Sequence, residues 1–219
     1  LSKLVKPEDL ILGINIGKNK DTPLDKAWED YLYCFEKLYP YADYFTINVS
    51  SPNTPGLRGL QEKEPLLQLI VKLHEANERK IISKPIFLKI APDLGAEELK
   101  EIKNLAIENN VDAIIMGNTT VTRDQLNTES GMLMRIGQGG LSGLPLTQKS
   151  TEKLVILKNA EGKIPLIGVG GIMNGGDAKL RILHGADLIQ IYTGFIYYGP
   201  GLIKNILKDI HGISFVPKN

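Results

Sequence analysis

Six short apolar runs, each with glycine or polar residues at or near its end, constrain the fold of this chain more than any other feature. They cover residues 10–17, 44–50, 85–91, 113–119, 165–171 and 188–193. Between them lie stretches with apolar residues at helical spacing, such as residues 65–79, in which Leu66, Leu69, Ile70 and Leu73 share one side. Apolar strands that alternate with amphipathic helices predict a parallel sheet covered by helices, in either a β/α barrel or a doubly wound sheet.

The polar residues at the ends of the runs distinguish these two architectures. They follow all six runs, and in a barrel the functional residues come from the carboxyl ends of many strands, whereas a doubly wound sheet uses one crevice. We therefore predict an α/β fold of the TIM-type (β/α)8 barrel class, of which this chain supplies about six βα units. The chain has 219 residues and complete barrels typically have about 250, so we interpret residues 1–219 as a single, incomplete barrel domain.

The composition excludes several classes of protein. With 42% hydrophobic residues, 23% charged residues and a net charge of +1, the chain is typical of a globular domain with no electrostatic preference for nucleic acid. No apolar run approaches the roughly 18 residues of a membrane span, so we expect this chain alone to be soluble. His74, His184 and His211 do not have the spacing of metal ligands, and we predict no metal site.

The most specific pattern follows the second run. Residues 48–58 read Asn-Val-Ser-Ser-Pro-Asn-Thr-Pro-Gly-Leu-Arg, and the two prolines prevent regular strand or helix hydrogen bonding. This segment resembles the catalytic loop of dihydroorotate dehydrogenases of class 2, the quinone-reducing branch of that flavoenzyme family. Further stretches resemble the family in the same order, at residues 13–20, 88–94, 117–120, 139–143, 167–171 and 190–193.

The resemblance implies a function and a cofactor. It implies oxidation of dihydroorotate to orotate in de novo pyrimidine biosynthesis, with hydride passed to FMN and then to a quinone. It also implies a protein peripheral on the bacterial cytoplasmic membrane or on the mitochondrial inner membrane, attached through a helical pair that this chain lacks. Two βα units of the family are also unmatched here, and because the chain begins with Leu1 we interpret it as a fragment or a processed product.

Family resemblance assigns the site residues. Ser51 takes the position of the catalytic base, where the quinone-reducing branch has serine and the soluble branch has cysteine. The substrate is expected to contact Asn48, Asn53, Asn118 and Thr119, since carboxamides offer both donors and acceptors to a dihydropyrimidine. The predicted FMN-binding residues are Asn15, Asn48, Lys89, Gly117, Ser142, Gly143, Gly170, Gly171, Tyr192 and Thr193. Glycines after the last two strands commonly let backbone N–H groups approach a phosphate.

Lys89 interrupts an otherwise apolar run and therefore needs an anionic neighbour. The resemblance places its ammonium against the pyrimidine edge of the flavin, where negative charge develops on reduction. The alternative is an ion pair with Asp93, four residues further along the chain.

Two further alternatives concern the whole chain. It could be another FMN-dependent β/α-barrel oxidoreductase, or a non-catalytic barrel fragment, because an open barrel leaves strand edges unpaired.

Finally, the long connection over residues 121–142 is expected to be either a loop over the mouth of the site or a disordered linker.

Overall fold

The structure, a computed structural model, describes residues 7, 9–124 and 126–211, and within them six parallel strands form one sheet. The strands are β1 Gly13–Ile16, β2 Tyr44–Asn48, β3 Ile86–Ile90, β4 Ala113–Met116, β5 Leu166–Val169 and β6 Leu188–Gln190, and they pair in chain order. The sheet curls into a half-barrel. This confirms the predicted class, a β/α barrel to which the chain contributes six strands. The predicted single domain of residues 1–219 extends beyond the described residues at both ends and stays a prediction.

Helices connect the strands. They are α1 Ala27–Leu38, α2 Lys63–Glu78, α3 Ala96–Glu108, α4 Ser130–Ile136, α5 Thr147–Asn159, α6 Gly175–Leu183, α7 Thr193–Tyr198 and α8 Gly201–Ile210. Short 3₁₀ turns occupy Leu24–Lys26, Tyr39–Tyr41, Leu57–Gln61 and Leu144–Leu146. No helix among the described residues is both long and apolar enough to cross a membrane.

Each strand is shorter than the apolar run that contains it, because the polar end of the run leaves the sheet. The second run covers residues 44–50, for example, but β2 ends at Asn48. The residues that were expected to carry function therefore lie at or just beyond the carboxyl ends of the strands, on one rim of the half-barrel.

Alternation along the strands divides the core into two layers. In β4, Ile114 and Met116 pack toward the helices, whereas Ala113 and Ile115 face inward with Ile167 of the neighbouring strand. The outer layer contains the apolar side of α2, where four side chains that share helical spacing are at most 1% exposed: Leu66, Leu69, Ile70 and Leu73. Burial of each contributes about 1.5–3 kcal/mol, which fixes the helix on the sheet.

The described part of the connection over residues 121–142 is not the disordered linker of the second expectation, because it contains the short helix α4 and is held at both ends. Its role as a loop over the mouth of the site stays a prediction. Thr120 and Leu141 form an isolated antiparallel bridge where the connection leaves and returns. The connection therefore leaves and returns at nearly the same place, next to the ends of β2 and β4.

Candidate active site

A pocket of about 500 Å³ lies at the carboxyl ends of the strands. It is lined by residues from the inner face of the half-barrel and from the loops after β4, β5 and β6. Of the predicted site residues, those that line it are Asn15, Asn48, Lys89, Asn118, Thr119, Ser142, Gly143, Gly170, Gly171, Tyr192 and Thr193. Residues from positions 15 to 193 thus meet in one cavity.

Three predicted site residues lie outside the pocket lining. Ser51 is half-buried, and its Oγ accepts a hydrogen bond from the Asn53 backbone N–H at 3.3 Å. Asn53 is exposed, and its Oδ1 accepts from the N–H of Gly140 at 3.0 Å. This hydrogen bond joins the loop after β2 to the end of the connection over residues 121–142. Gly117 is buried with φ +124°, and a Cβ there would lie 2.4 Å from the Val169 carbonyl oxygen, so the glycine allows the ends of β4 and β5 to approach.

The pocket also contains residues that the sequence prediction omitted. Thr46 precedes Asn48 by two residues in β2 and faces the same side, and Gln190 of β6 pairs in register with Val169. Period-two alternation could have identified Thr46 from the sequence. Gln190 required the register of β6 against β5, which the apolar pattern does not specify.

Two carboxamides and a hydroxyl form one hydrogen-bonded group at the pocket. Ser50 Oγ donates to Asn48 Oδ1 at 2.8 Å and accepts from Asn118 Nδ2 at 2.8 Å. Asn118 Nδ2 also lies 3.3 Å from Asn48 Oδ1. Because Ser50 is fully buried, these bonds fix the orientation of both carboxamides before any ligand arrives.

A tyrosine supports this group from the helix side. The hydroxyl of Tyr31, a fully buried residue of α1, donates to the Asn48 carbonyl oxygen at 2.8 Å. Burial raises the pKa of the Tyr31 phenol, which therefore stays a neutral donor. The end of β2 is thus held from both sides.

Lys89 has no anionic partner among the residues that the structure describes. Within the described residues, no hydrogen-bond acceptor or carboxylate pairs with its ammonium, which faces the pocket beside Asn48 in the neighbouring strand. Burial lowers the pKa of Lys89 below its ordinary value. The alternative of an ion pair with Asp93 is wrong, because Asp93 is engaged by other cations.

Asp93 holds together three segments around the site. Its carboxylate accepts from Arg58 Nη1 at 2.8 Å and from Lys149 and Thr120. Arg58 also donates through Nε to the Ser50 carbonyl oxygen and through Nη2 to that of Thr119, both at 3.1 Å. The loop after β2, the loop after β4 and helix α5 are therefore tied to one carboxylate.

The charge of Asp93 should make a pH-dependent contribution to stability. Burial by itself would raise the pKa of this carboxyl, but hydrogen bonds from Lys149, Thr120 and Arg58 and the charge of Lys149 outweigh it and hold the pKa below its ordinary value. A depressed folded-state pKa stabilises the protein above the unfolded value of about 3.9, and this stabilisation is lost as the pH falls through the folded value.

Replacing Asp93 by asparagine should therefore lower the free energy of unfolding by about 1–3 kcal/mol at pH 7. Urea unfolding of wild type and variant measures the difference, which should shrink as the pH is lowered toward 3. Glu97→Gln removes the exposed ion pair with Lys100 and should change stability little at either pH. An Asp93→Asn effect that is the same at pH 3 and pH 7 would contradict the role of the charge.

A larger groove of about 860 Å³ runs between α2 and α3 on the outside of the sheet. Its lining includes Glu62, Glu98, Glu101 and Glu108, and also Arg58 and Asp93. It contains none of the predicted site residues, so the smaller pocket is the candidate active site.

Comparison with known proteins identifies the family. The sequence model of the dihydroorotate dehydrogenase family matches residues 1–213 of the chain. The chain belongs to the dihydroorotate dehydrogenase family.

The curated relatives of this chain are close in sequence. It is 50% identical over 205 residues to a protein named dihydroorotate dehydrogenase (quinone) from Vibrio vulnificus strain YJ016, covering 91% of this chain and 60% of the relative. A protein of the same name from Christiangramia forsetii is 49% identical over 211 residues, covering 96% and 61%. The chain therefore spans about 60% of the length of the curated relatives that it matches.

Two solved structures of the family share the fold. Dihydroorotate dehydrogenase from Eimeria tenella in its ligand-free form superimposes with a TM-score of 0.85 at 34% identity, covering 93% of this chain and 60% of that one. The same enzyme in complex with ferulenol gives a TM-score of 0.83 at 35% identity, covering 93% and 57%. The half-barrel is thus the arrangement that these residues adopt in longer members of the family.

Proposed function

We propose that the protein containing this chain oxidises dihydroorotate to orotate in pyrimidine biosynthesis, with FMN as the first acceptor of the hydride and a quinone as the second. The observation that carries the proposal is one pocket that combines an oriented carboxamide pair, a lysine with no counter-ion among residues 7, 9–124 and 126–211, and two glycine-rich loops. The names of the curated relatives support dihydroorotate as the substrate and a quinone as the electron acceptor.

The residues of the pocket fit FMN. A volume of about 500 Å³ is within the usual range of ligand sites, roughly 300–1,000 Å³. Gly143, Gly170 and Gly171 have φ of +81°, +99° and +73°, backbone conformations that L side chains rarely adopt, and they leave room for a phosphate beside the backbone. When bound, FMN supplies the group that accepts the hydride.

Lys89 and Asn15 would lie along the flavin ring system. The Lys89 ammonium has no counter-ion in the described part of the chain, so it is available to a ligand that becomes negatively charged on reduction. Asn15 lies in β1, in register with Thr46 of β2, and places a carboxamide on the same inner face.

Asn48, Asn118 and Thr119 would bind the substrate. The Ser50 hydroxyl already orients the two carboxamides, and Thr119 Oγ1 is buried without a hydrogen-bond partner in the described residues. The polar edge of a dihydropyrimidine offers both carbonyl oxygens and N–H groups that these carboxamides can bind.

Ser51 would take the proton. Oxidation of dihydroorotate removes a hydride from one ring carbon and a proton from its neighbour, which is α to a carbonyl. We assign proton removal to Ser51 Oγ, which must pass its own proton onward, through water or the neighbouring Thr54, because a serine hydroxyl is a weak base.

The quinone and the membrane would meet the protein outside this chain. We propose that the parent is peripheral on the bacterial cytoplasmic membrane or the mitochondrial inner membrane, according to its source, and that residues beyond this chain make the membrane contact.

The test uses a full-length protein that contains this chain. We expect the purified protein to show the absorbance of bound flavin, dihydroorotate to bleach it without oxygen, and an added quinone to restore it, while NAD⁺ does not. Bound flavin that dihydroorotate fails to bleach would indicate another FMN-dependent oxidoreductase. A folded protein without flavin would indicate a non-catalytic role.

A further inference from the structure

Arg181 of α6 is a buried cation directly behind the glycine pair of the pocket. It is 1% exposed, and its guanidinium donates to three backbone carbonyl oxygens: Val169 at 3.1 Å, Gly170 at 2.8 Å and Thr147 at 3.3 Å. No carboxylate in the described part of the chain forms an ion pair with it, and its Nε is buried without a partner.

Burial lowers the pKa of Arg181 to about 10, although the charge of Asp177 opposes this, so the guanidinium remains charged at neutral pH. A buried positive charge that has only carbonyl partners is unusual, since such charges are normally paired. A negative charge on the far side of the carbonyls would offset its cost.

The carbonyls that Arg181 binds belong to the peptide units that face the pocket. In a planar trans peptide the N–H points opposite to the C=O. Because the oxygens of Val169 and Gly170 point toward Arg181, the N–H groups of Gly170 and Gly171 point away from it. Neither N–H donates to an acceptor within the described residues, and both glycines line the pocket.

The local sequence makes room for this arrangement. A Cβ at position 168 would lie 2.5 Å from Arg181 Cγ, so only glycine lets the arginine stem cross the end of β5. Thr147 completes the arrangement, because its Oγ1 donates to the Gly171 carbonyl oxygen at 2.7 Å while its own carbonyl accepts from Arg181.

We propose that Arg181 is a positioning residue for the FMN phosphate: it holds the Gly170 and Gly171 N–H groups toward the phosphate and supplies a buried positive charge behind them. The proposal rests on the proposed function for the identity of the ligand. It adds that the phosphate affinity depends on a residue that does not touch the ligand.

The test compares FMN with riboflavin, which lacks the phosphate. In a full-length protein that contains this chain, flavin is removed and rebinding is followed by quenching of flavin fluorescence. Arg181→Gln should weaken FMN binding by about 10- to 100-fold and riboflavin binding little, so the preference for FMN collapses. Arg181→Lys, which keeps the charge, should retain most of the preference for FMN. Inorganic phosphate should raise the melting temperature of the apoprotein less in Arg181→Gln than in wild type.

Lys103 provides the matched control. It is another cation, 2% exposed, whose ammonium donates to the carbonyl oxygens of Leu157 and Ala160 at 2.8 and 2.7 Å, away from the pocket. Lys103→Met should lower the melting temperature and leave the ratio of FMN to riboflavin affinity unchanged.

The outcomes separate this proposal from the proposed function. A wild-type protein that binds no flavin would contradict the function, and the phosphate titration would still test Arg181. A wild-type preference for FMN that Arg181→Gln leaves intact would overturn the role of Arg181 alone, as would an equal loss of affinity for both flavins.

Discussion

Replacing Ser51 by alanine in a full-length protein that contains this chain is expected to slow reduction of bound FMN by dihydroorotate about 10²- to 10⁴-fold, the usual contribution of a general base. Binding of FMN and of dihydroorotate should change little. The rate should fall because Ser51 Oγ can take the substrate proton while it passes its own proton onward. This Oγ accepts from the Asn53 N–H but donates to no acceptor within the described residues, so its own proton is not held by another group. Stopped-flow measurement of flavin reduction at saturating dihydroorotate gives the rate.

Ser50→Ala is the matched control. The Ser50 hydroxyl is already used by Asn48 and Asn118, so its loss should disorder the two carboxamides and weaken dihydroorotate binding. Reduction at saturating substrate should slow far less than in Ser51→Ala. If Ser50→Ala abolishes reduction while Ser51→Ala leaves it intact, the assignment of the base is wrong.

These two serines show where sequence patterns stop being informative. Strict alternation after β2 places residue 50 on the side of Asn48, and the structure agrees: Ser50 is buried against that carboxamide. Alternation says nothing about Ser51, because Pro52 follows and the chain has left the pleat. The choice of Ser51 therefore depends on family resemblance, whereas the packing of Ser50 follows from strand geometry.

The fold was predictable for a simple reason. The four central strands, β2 to β5, are buried or half-buried on both faces, and only the outer strands β1 and β6 carry exposed residues. Continuous apolar runs with helical stretches between them have few other solutions. The rim position of the polar residues followed directly, since parallel strands bring their carboxyl ends together. The convergence of Asn15 and Tyr192 on one pocket is a consequence of this topology.

The electrostatics of the site were not predictable from local spacing. The partners of Asp93 are 35 residues before it, at Arg58, and 56 residues after it, at Lys149, whereas the neighbour suggested by spacing was Lys89. Arg181 looks like an ordinary charged residue of a surface helix in the sequence. Its burial depends on the glycine at position 168 across the strand end, a relationship that no single-sequence periodicity contains.

Lys89→Ala, in a full-length protein that contains this chain, is expected to slow single-turnover flavin reduction about 10²- to 10³-fold, comparable to removing one preorganised donor from a developing charge. Retention of FMN during purification should also fall. Lys89→Met, which keeps most of the side-chain volume, should behave in the same way if the charge is what matters. Lys153→Met removes an ammonium that donates to the Leu94 carbonyl oxygen, outside the pocket lining, and should leave the reduction rate unchanged.

The pH dependence of this effect follows from the surroundings of Lys89. Burial lowers its pKa below the ordinary value of 10.5, and no carboxylate of the described residues opposes the shift. The ammonium therefore loses its proton at a lower pH than an exposed lysine does. Only the protonated form stabilises negative charge on the flavin. The ratio of the wild-type rate to the Lys89→Ala rate should therefore be largest at neutral pH and should decline as the pH rises toward 10. Taking the ratio cancels every other pH-dependent contribution to the rate, which both proteins share. A rate unaffected by Lys89→Ala, or a ratio that grows with pH, would show that the cation does not act on the developing flavin charge.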